Sequence, residues 1–331
     1  MTWRAALGLL LCGALVCMGA SGQPVFAGGV EQEVSIDGGA GPLWGTLLRP
    51  AGDHPVPAVL ILSGSGPTDR DGNGPSLRND SLKQLAETLA AAGIASLRVD
   101  KRGVGASAGA AVSEAALRFE TYVADAVNWA DYLAARDWVL GVAIVGHSEG
   151  ALIGTLAALE RPPAGLVAIA GAGLPAGRLL RRQLAAAGLP RDLLRQAETA
   201  IDALEEGRQV ADVDEALGPL LRPSVQPYLI SWFRHDPAEA LSKVAAPVLV
   251  IQGSRDLQVS VDDARRLAKG RLVAGSPGAE LAIVDGMNHV LKRVPADAEA
   301  NLAAYNDPSL PLAPGLAERL LPFLTGLAFD R

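Results

Sequence analysis

Six short apolar runs constrain the fold most: Ala58–Leu62 (AVLIL), Ala95–Val99 (ASLRV), Val142–Val145 (VAIV), Leu166–Ala170 (LVAIA), Val248–Gln252 (VLVIQ) and Leu281–Val284 (LAIV). Runs of four or five apolar residues read as buried strands. Between them lie stretches with apolar residues three to four apart, clearest at Ser81–Ala92 and Phe119–Ala135, which read as helices. Strand-helix alternation predicts an α/β fold, a mainly parallel sheet with helices on both faces. Val34 to Leu48 reads as an N-terminal hairpin at the sheet edge.

Two segments break the alternation. From about Pro175 to Ala240 no strand-like run occurs and the pattern is helical. Ligands in open α/β sheets bind at the carboxyl ends of strands, where this insertion emerges, so it is expected to form a helical cap. The chain start differs again. Arg4 is followed by an apolar run, Ala5 to Ala20, with plausible cleavage after Ala27 or Ala20. This predicts a secretory signal peptide, with an uncleaved membrane anchor as the alternative, and hence a secreted or periplasmic protein. The expected division is signal peptide 1–27, core 28–174, cap 175–240 and core 241–331. Both cysteines, Cys12 and Cys17, lie in the apolar run, so the mature chain would hold no disulfide and no thiolate metal site. Net charge is −7 and no Lys/Arg-rich run appears, which argues against nucleic acid as a partner.

Gly146-His147-Ser148-Glu149-Gly150 matches G-x-S-x-G, in which a serine sits on a sharp strand-to-helix turn with its hydroxyl exposed. Gly105-Ala106-Ser107-Ala108-Gly109 matches too, but it lies in a loop well past the ASLRV run. Ser148 directly follows VAIV and directly precedes a helix former, so Ser148 is the candidate nucleophile. A serine needs a base, and the partners follow it in the order acid, histidine. Of His54, His147, His235 and His289, only His289 lies in a loop after the last apolar run. Asp256, four residues past Gln252, is the expected acid. Asp262 and Asp263 read as acids in a first helical turn, and Asp285 sits too near His289. An oxyanion hole needs two backbone N–H donors; Ser65, in the glycine-rich loop after Ala58–Leu62, and Glu149 are the candidates.

Taken together, these motifs resemble the α/β-hydrolase superfamily. They look most like bacterial carboxylesterases and serine-aminopeptidase-like hydrolases with an H-G-S-G-P-x-D-R-D oxyanion loop. Here that loop is Ser63 to Asp71, with Ser63 where many relatives have histidine. Leu97–Ser107, Gly253–Val259 and Gly286–Lys292 extend the resemblance from about Pro57 to Lys292. It implies ester hydrolysis through an acyl-enzyme, with peptide cleavage at an N-terminal residue as the alternative. The latter needs a carboxylate for the substrate ammonium, and Glu205, Glu206 and Asp236 are candidates. A non-catalytic ligand-binding form of the fold is a further alternative.

Two other patterns compete. Asp69, Asp71, Asn73, Gly74 and Asp80 imitate a calcium loop, but follow a strand and lack the final Glu. Gly103-x-Gly105-x-x-Ala108 imitates a dinucleotide fingerprint without a persuasive helix after it, and no P-loop occurs. No cofactor and no metal are expected, and the expected substrate is a small acyl ester. Tyr228, Trp232 and Phe233 fall within six positions of the insertion in a chain only 4% aromatic. They are expected to line an apolar acyl pocket.

Overall fold

The computed structural model describes residues 25–26, 29–272 and 278–329. The expected signal segment and both cysteines lie outside these residues, apart from Val25 and Phe26. Nine strands are described: β1 (Val25–Phe26), β2 (Gly29–Asp37), β3 (Pro42–Pro50), β4 (Val56–Leu62), β5 (Ala95–Val99), β6 (Val139–His147), β7 (Leu166–Ile169), β8 (Val248–Gly253) and β9 (Glu280–Val284). They form one sheet in the order β1-β2-β3-β5-β4-β6-β7-β8-β9. The hairpin β2–β3 and its pairing to β5 are antiparallel, and every pair from β5 to β9 is parallel. All six apolar runs are strands here, and the expected hairpin is β2–β3, with only the two-residue β1 outside it at that edge.

Side chains alternate between the two faces, as a pleated strand requires. Leu60 and Leu62 of β4 join a core with Phe119, Trp129, Leu133 and Ile153. Val59 and Ile61 join a second core with Leu82, Leu85, Leu89, Leu316, Leu320 and Leu324. Thus α1 (Ser81–Ala91) and α11 (Pro314–Thr325) cover one face, and α2 (Phe119–Ala134) and α3 (Glu149–Glu160) the other. Both faces of the central strands are buried, which is why they read as continuous apolar runs rather than alternating ones, whereas Leu281 and Ile283 of the outer strand β9 stay exposed.

After β7 the chain forms α4 (Ala176–Ala186), α5 (Arg191–Glu205), α6 (Gly218–Leu221), α7 (Gln226–Phe233) and α8 (Pro237–Ser242) before re-entering the sheet at β8. Leu180, Leu184, Ile201, Leu204 and Leu229 of this segment join the first core. The side chain of Ser231 in α7 accepts from Phe119 N–H at 2.8 Å, fixing the segment to the start of α2. The remaining helices are α9 (Val261–Leu272) and α10 (Ala298–Ala303). Chain order reverses around β4, with β5 on one side and β6 on the other, so the loops after β4 and β6 diverge at a switch point.

Candidate active site

Ser148 stands between β6 and α3 at φ 55°, ψ −117°, a backbone region non-glycine residues rarely occupy. The flanking glycines have a steric cause. A Cβ on Gly146 would lie 2.2 Å from the Gly150 carbonyl oxygen, and one on Gly150 would lie 2.4 Å from that of Leu62. Only glycines let the turn close against itself and against the end of β4. Ser148 lines a cavity of about 80 Å³. Its walls include Leu152, Leu174, Leu179, Leu220 and Val225, with Ser65 and Glu149 beside the serine.

Asp256 and His289 meet across the ends of β8 and β9. His289 Nδ1 lies 2.8 Å from Asp256 Oδ2. Gln252 Nε2 donates to the same oxygen at 2.9 Å, while the N–H groups of Gln258 and Val259 donate to Oδ1 at 2.8 and 2.9 Å. Burial pushes the Asp256 carboxyl up, but the charge and hydrogen bond of His289 and the two N–H bonds outweigh it, holding it below the usual carboxylate range. A charged carboxylate accepts, so Nδ1 carries the proton and Nε2 is left as the basic nitrogen. Among the described residues no hydrogen bond joins the Ser148 hydroxyl to His289. Such bonds are often long in ligand-free enzymes and tighten with substrate. The loop carrying His289 is braced by Lys292, whose N–H donates to Asn288 Oδ1 at 2.9 Å and whose buried ammonium donates to Gln84 and Leu310.

The competing residues are occupied elsewhere. Ser107 is fully buried and its hydroxyl accepts from Trp44 N–H at 2.8 Å. Asp262 pairs with Arg265, Asp263 with Arg182, and Asp285 accepts from Ser254. His54 is exposed, and the His235 ring lies 5.5 Å from Phe119. In the calcium-like loop Asp71 pairs with Arg98, Asn73 Oδ1 accepts from the N–H groups of Asn79 and Asp80, and Asp69 Oδ1 accepts from those of Asp71 and Asn73. Burial pushes the Asp69 carboxyl up to about 6. Tyr228 and Trp232 line the cavity; Phe233 does not, and packs against the core instead. Trp232 stacks on Phe119 with ring centroids 5.8 Å apart. Glu205 pairs with Arg181, Glu206 with Arg208 and Asp236 with Arg266, and none of the three lines the cavity.

One residue of the site, Lys101, escaped the sequence reading. Lys101 Nζ donates to Glu149 Oε2 at 3.0 Å and also to the Gly64 carbonyl. Tyr228 OH donates to Glu149 Oε1 at 2.5 Å. The available signal for Lys101 was a lysine two residues past a wholly buried strand. His147 was set aside as a base, and its Nε2 lies 2.8 Å from the His289 carbonyl oxygen. Burial, then the neighbouring His289, push His147 down to about 3, so it is neutral and Nε2–H donates.

This has a consequence for stability. Unfolded, His147 takes up a proton below its ordinary 6.5; folded, it does not until about 3. Its contribution is therefore fully present above 6.5 and is lost as pH falls through that window, with a limiting slope of about 1.4 kcal/mol per pH unit. Urea unfolding between pH 4 and 7 should show a shallower acid loss for His147→Asn than for the parent. Equal slopes would remove His147 as the titrating group.

The model of the family described as "Serine aminopeptidase, S33" matches residues 79–293. Esterase EstD of Thermotoga maritima is 28% identical over 268 residues, covering 79% of this chain; the chain spans 60% of the length of that relative. Among solved structures, Est1E from Butyrivibrio proteoclasticus aligns with a TM-score of 0.56 at 16% identity, covering 88% of this chain and 98% of its own. The Pyrococcus furiosus esterase Pf2001 aligns with a TM-score of 0.57 at 16% identity, covering 90% and 93%. The structural matches carry the α/β-hydrolase fold, and the matched span includes Ser148, Asp256 and His289. The chain therefore belongs to the serine aminopeptidase S33 family of α/β-hydrolases.

Proposed function

We propose that this protein is a serine hydrolase cleaving carboxylic esters with short-to-medium acyl chains. The observations that support the reading are the buried Asp256–His289 pair and a strained serine that lines an apolar cavity. Ser148 Oγ attacks the acyl carbonyl while His289 Nε2 takes its proton. The oxyanion is received by the N–H of Ser65 and of Glu149, the latter one of the first N–H groups of α3 and so without an intrahelical partner. His289 returns the proton to the leaving alcohol. Water then repeats the sequence on the acyl-enzyme, releasing the acid and restoring Ser148. Asp256 holds His289 and stabilises its charged form.

The cavity walls favour an acyl group over an aminoacyl one. Among the described residues Glu149 is the one carboxylate lining the cavity, and both its oxygens are engaged, by Lys101 and Tyr228. A substrate ammonium would find no open partner there. At roughly 10–15 Å³ for each water-sized group, the cavity has space for a short chain. We read the segment from α4 to α8 as a cap, since Leu179, Leu220, Leu229 and Trp232 form part of the cavity wall. The apolar N-terminal run supports export, making the protein secreted or periplasmic.

A panel of p-nitrophenyl esters against aminoacyl p-nitroanilides tests the reading. Esters should be hydrolysed with a preference for short-to-medium chains, rising several-fold per methylene (about 0.8 kcal/mol each) until the cavity is full. Trp232→Ala should move the optimum to longer chains. Faster turnover of the anilides would overturn the ester reading. An unchanged chain-length profile with a lower Tm would make Trp232 packing only.

A further inference from the structure

The reaction proposed above leaves a mechanical question: what aims the oxyanion donors? One donor is the N–H of Ser65, which belongs to the same peptide group as the Gly64 carbonyl. That peptide is trans, since the described chain has no cis bond, so its C=O and N–H point in opposite directions. The Gly64 carbonyl accepts from the Lys101 ammonium. The Ser65 N–H is thereby directed away from Lys101, and Ser65 itself lines the cavity beside Ser148. The same ammonium bonds the carboxylate of Glu149, the residue carrying the second donor. Lys101 is 9% exposed and Glu149 6%, so the pair acts in a low dielectric.

We propose that Lys101 is the positioning residue of the oxyanion site: its ammonium fixes the Gly64–Ser65 peptide so that the Ser65 N–H faces the reacting oxygen, polarises that N–H, and ties the loop after β4 to the start of α3. The proposal rests on the serine-hydrolase reading. It follows from hydrogen-bond cooperativity. A cation on a peptide oxygen withdraws electron density and makes the N–H of that peptide a stronger donor. The gain is largest when the acceptor is an oxyanion rather than a neutral carbonyl, so it belongs to the transition state. The third arm of the network, Tyr228 OH on Glu149, joins α7 to the same point.

Lys101→Met alone would leave the Glu149 carboxylate buried and unpaired, which threatens folding. The test therefore compares Lys101→Met/Glu149→Gln with Glu149→Gln, both checked for folding by Tm and circular dichroism. Two readouts are taken: steady-state ester hydrolysis, and inhibition by an alkylboronic acid, which forms a tetrahedral serine adduct. Loss of Lys101 should lower kcat about 10- to 100-fold, less than the loss of a whole donor, with KM within about threefold. It should weaken boronate inhibition by a similar factor. A structural role alone would lower Tm without this split. A folded double variant that matches Glu149→Gln in kcat and boronate affinity overturns the proposal. Labelling of the parent by an organophosphonate separates the two readings. If Ser148 is not labelled, both fall; if it is labelled and the double variant is unaffected, only the role of Lys101 falls.

Discussion

Ser148→Ala is expected to leave the fold intact and lower ester turnover on the order of 10³-fold or more. The alanine keeps the turn geometry and removes only the attacking oxygen, so the melting temperature should change little or rise as a strained polar site is simplified. Ser107→Ala is the matched control, because the same five-residue pattern surrounds it. Its hydroxyl accepts from Trp44 N–H on β3, and removing it leaves a buried donor unsatisfied. Ser107→Ala should therefore cost about 1–3 kcal/mol of stability while kcat of the folded fraction stays near the parent value. The discriminating measurement is active-site titration with an organophosphonate alongside kcat. If Ser107→Ala abolished labelling and Ser148→Ala did not, the nucleophile assignment would be reversed.

Asp256→Asn is expected to lower kcat on the order of 10²- to 10⁴-fold with little change in KM. Four donors converge on this carboxylate: Gln252 Nε2 and His289 Nδ1 on one oxygen, the N–H groups of Gln258 and Val259 on the other. An asparagine amide must place its NH₂ towards one of these pairs. Facing His289, it forces the imidazole into the tautomer whose Nε2 bears the proton, which cannot accept from Ser148. Facing Gln258 and Val259, it sets donors against donors and strains the loop. Either way the base is lost or misplaced. Because Asp256 is held below the ordinary carboxylate range, it stays charged through the assay range, and the acid limb of the parent rate profile should not come from it. Activity of Asp256→Asn within tenfold of the parent would remove Asp256 from the mechanism.

The strands were legible because the centre of the sheet is buried on both faces. A strand buried on both faces is mostly apolar, so six runs marked six strands; β5 spans the same residues Ala95–Val99 in both, although it also buries Ser96 and Arg98. The longer extents of β4 and β6, which begin at Val56 and Val139, were hidden because their first residues include Pro57, Leu140 and Gly141, a mixed start. The turn at Ser148 was equally legible, since its glycines, strand and helix lie within about ten residues. The aromatic cluster was only half readable. Periodicity placed Tyr228, Trp232 and Phe233 on one helix, but not which face met the cavity. Phe233 faces the core, and the Tyr228 hydroxyl serves Glu149.

The sequence by itself determined the parallel sheet, the strained turn and the order Ser148, Asp256, His289, because each depends on residues close in the chain or on one constraint of chain order. Only the tertiary structure decided which buried charges meet. Lys101 and Glu149 are 48 residues apart and Tyr228 lies a further 79 beyond Glu149, yet all three converge at the start of α3. No local pattern encodes that convergence. It arises where the ends of β4, β5 and β6 come side by side and the helices inserted after β7 fold back over them, and a buried charge in such a place is stable only because the packing brings its partner within reach.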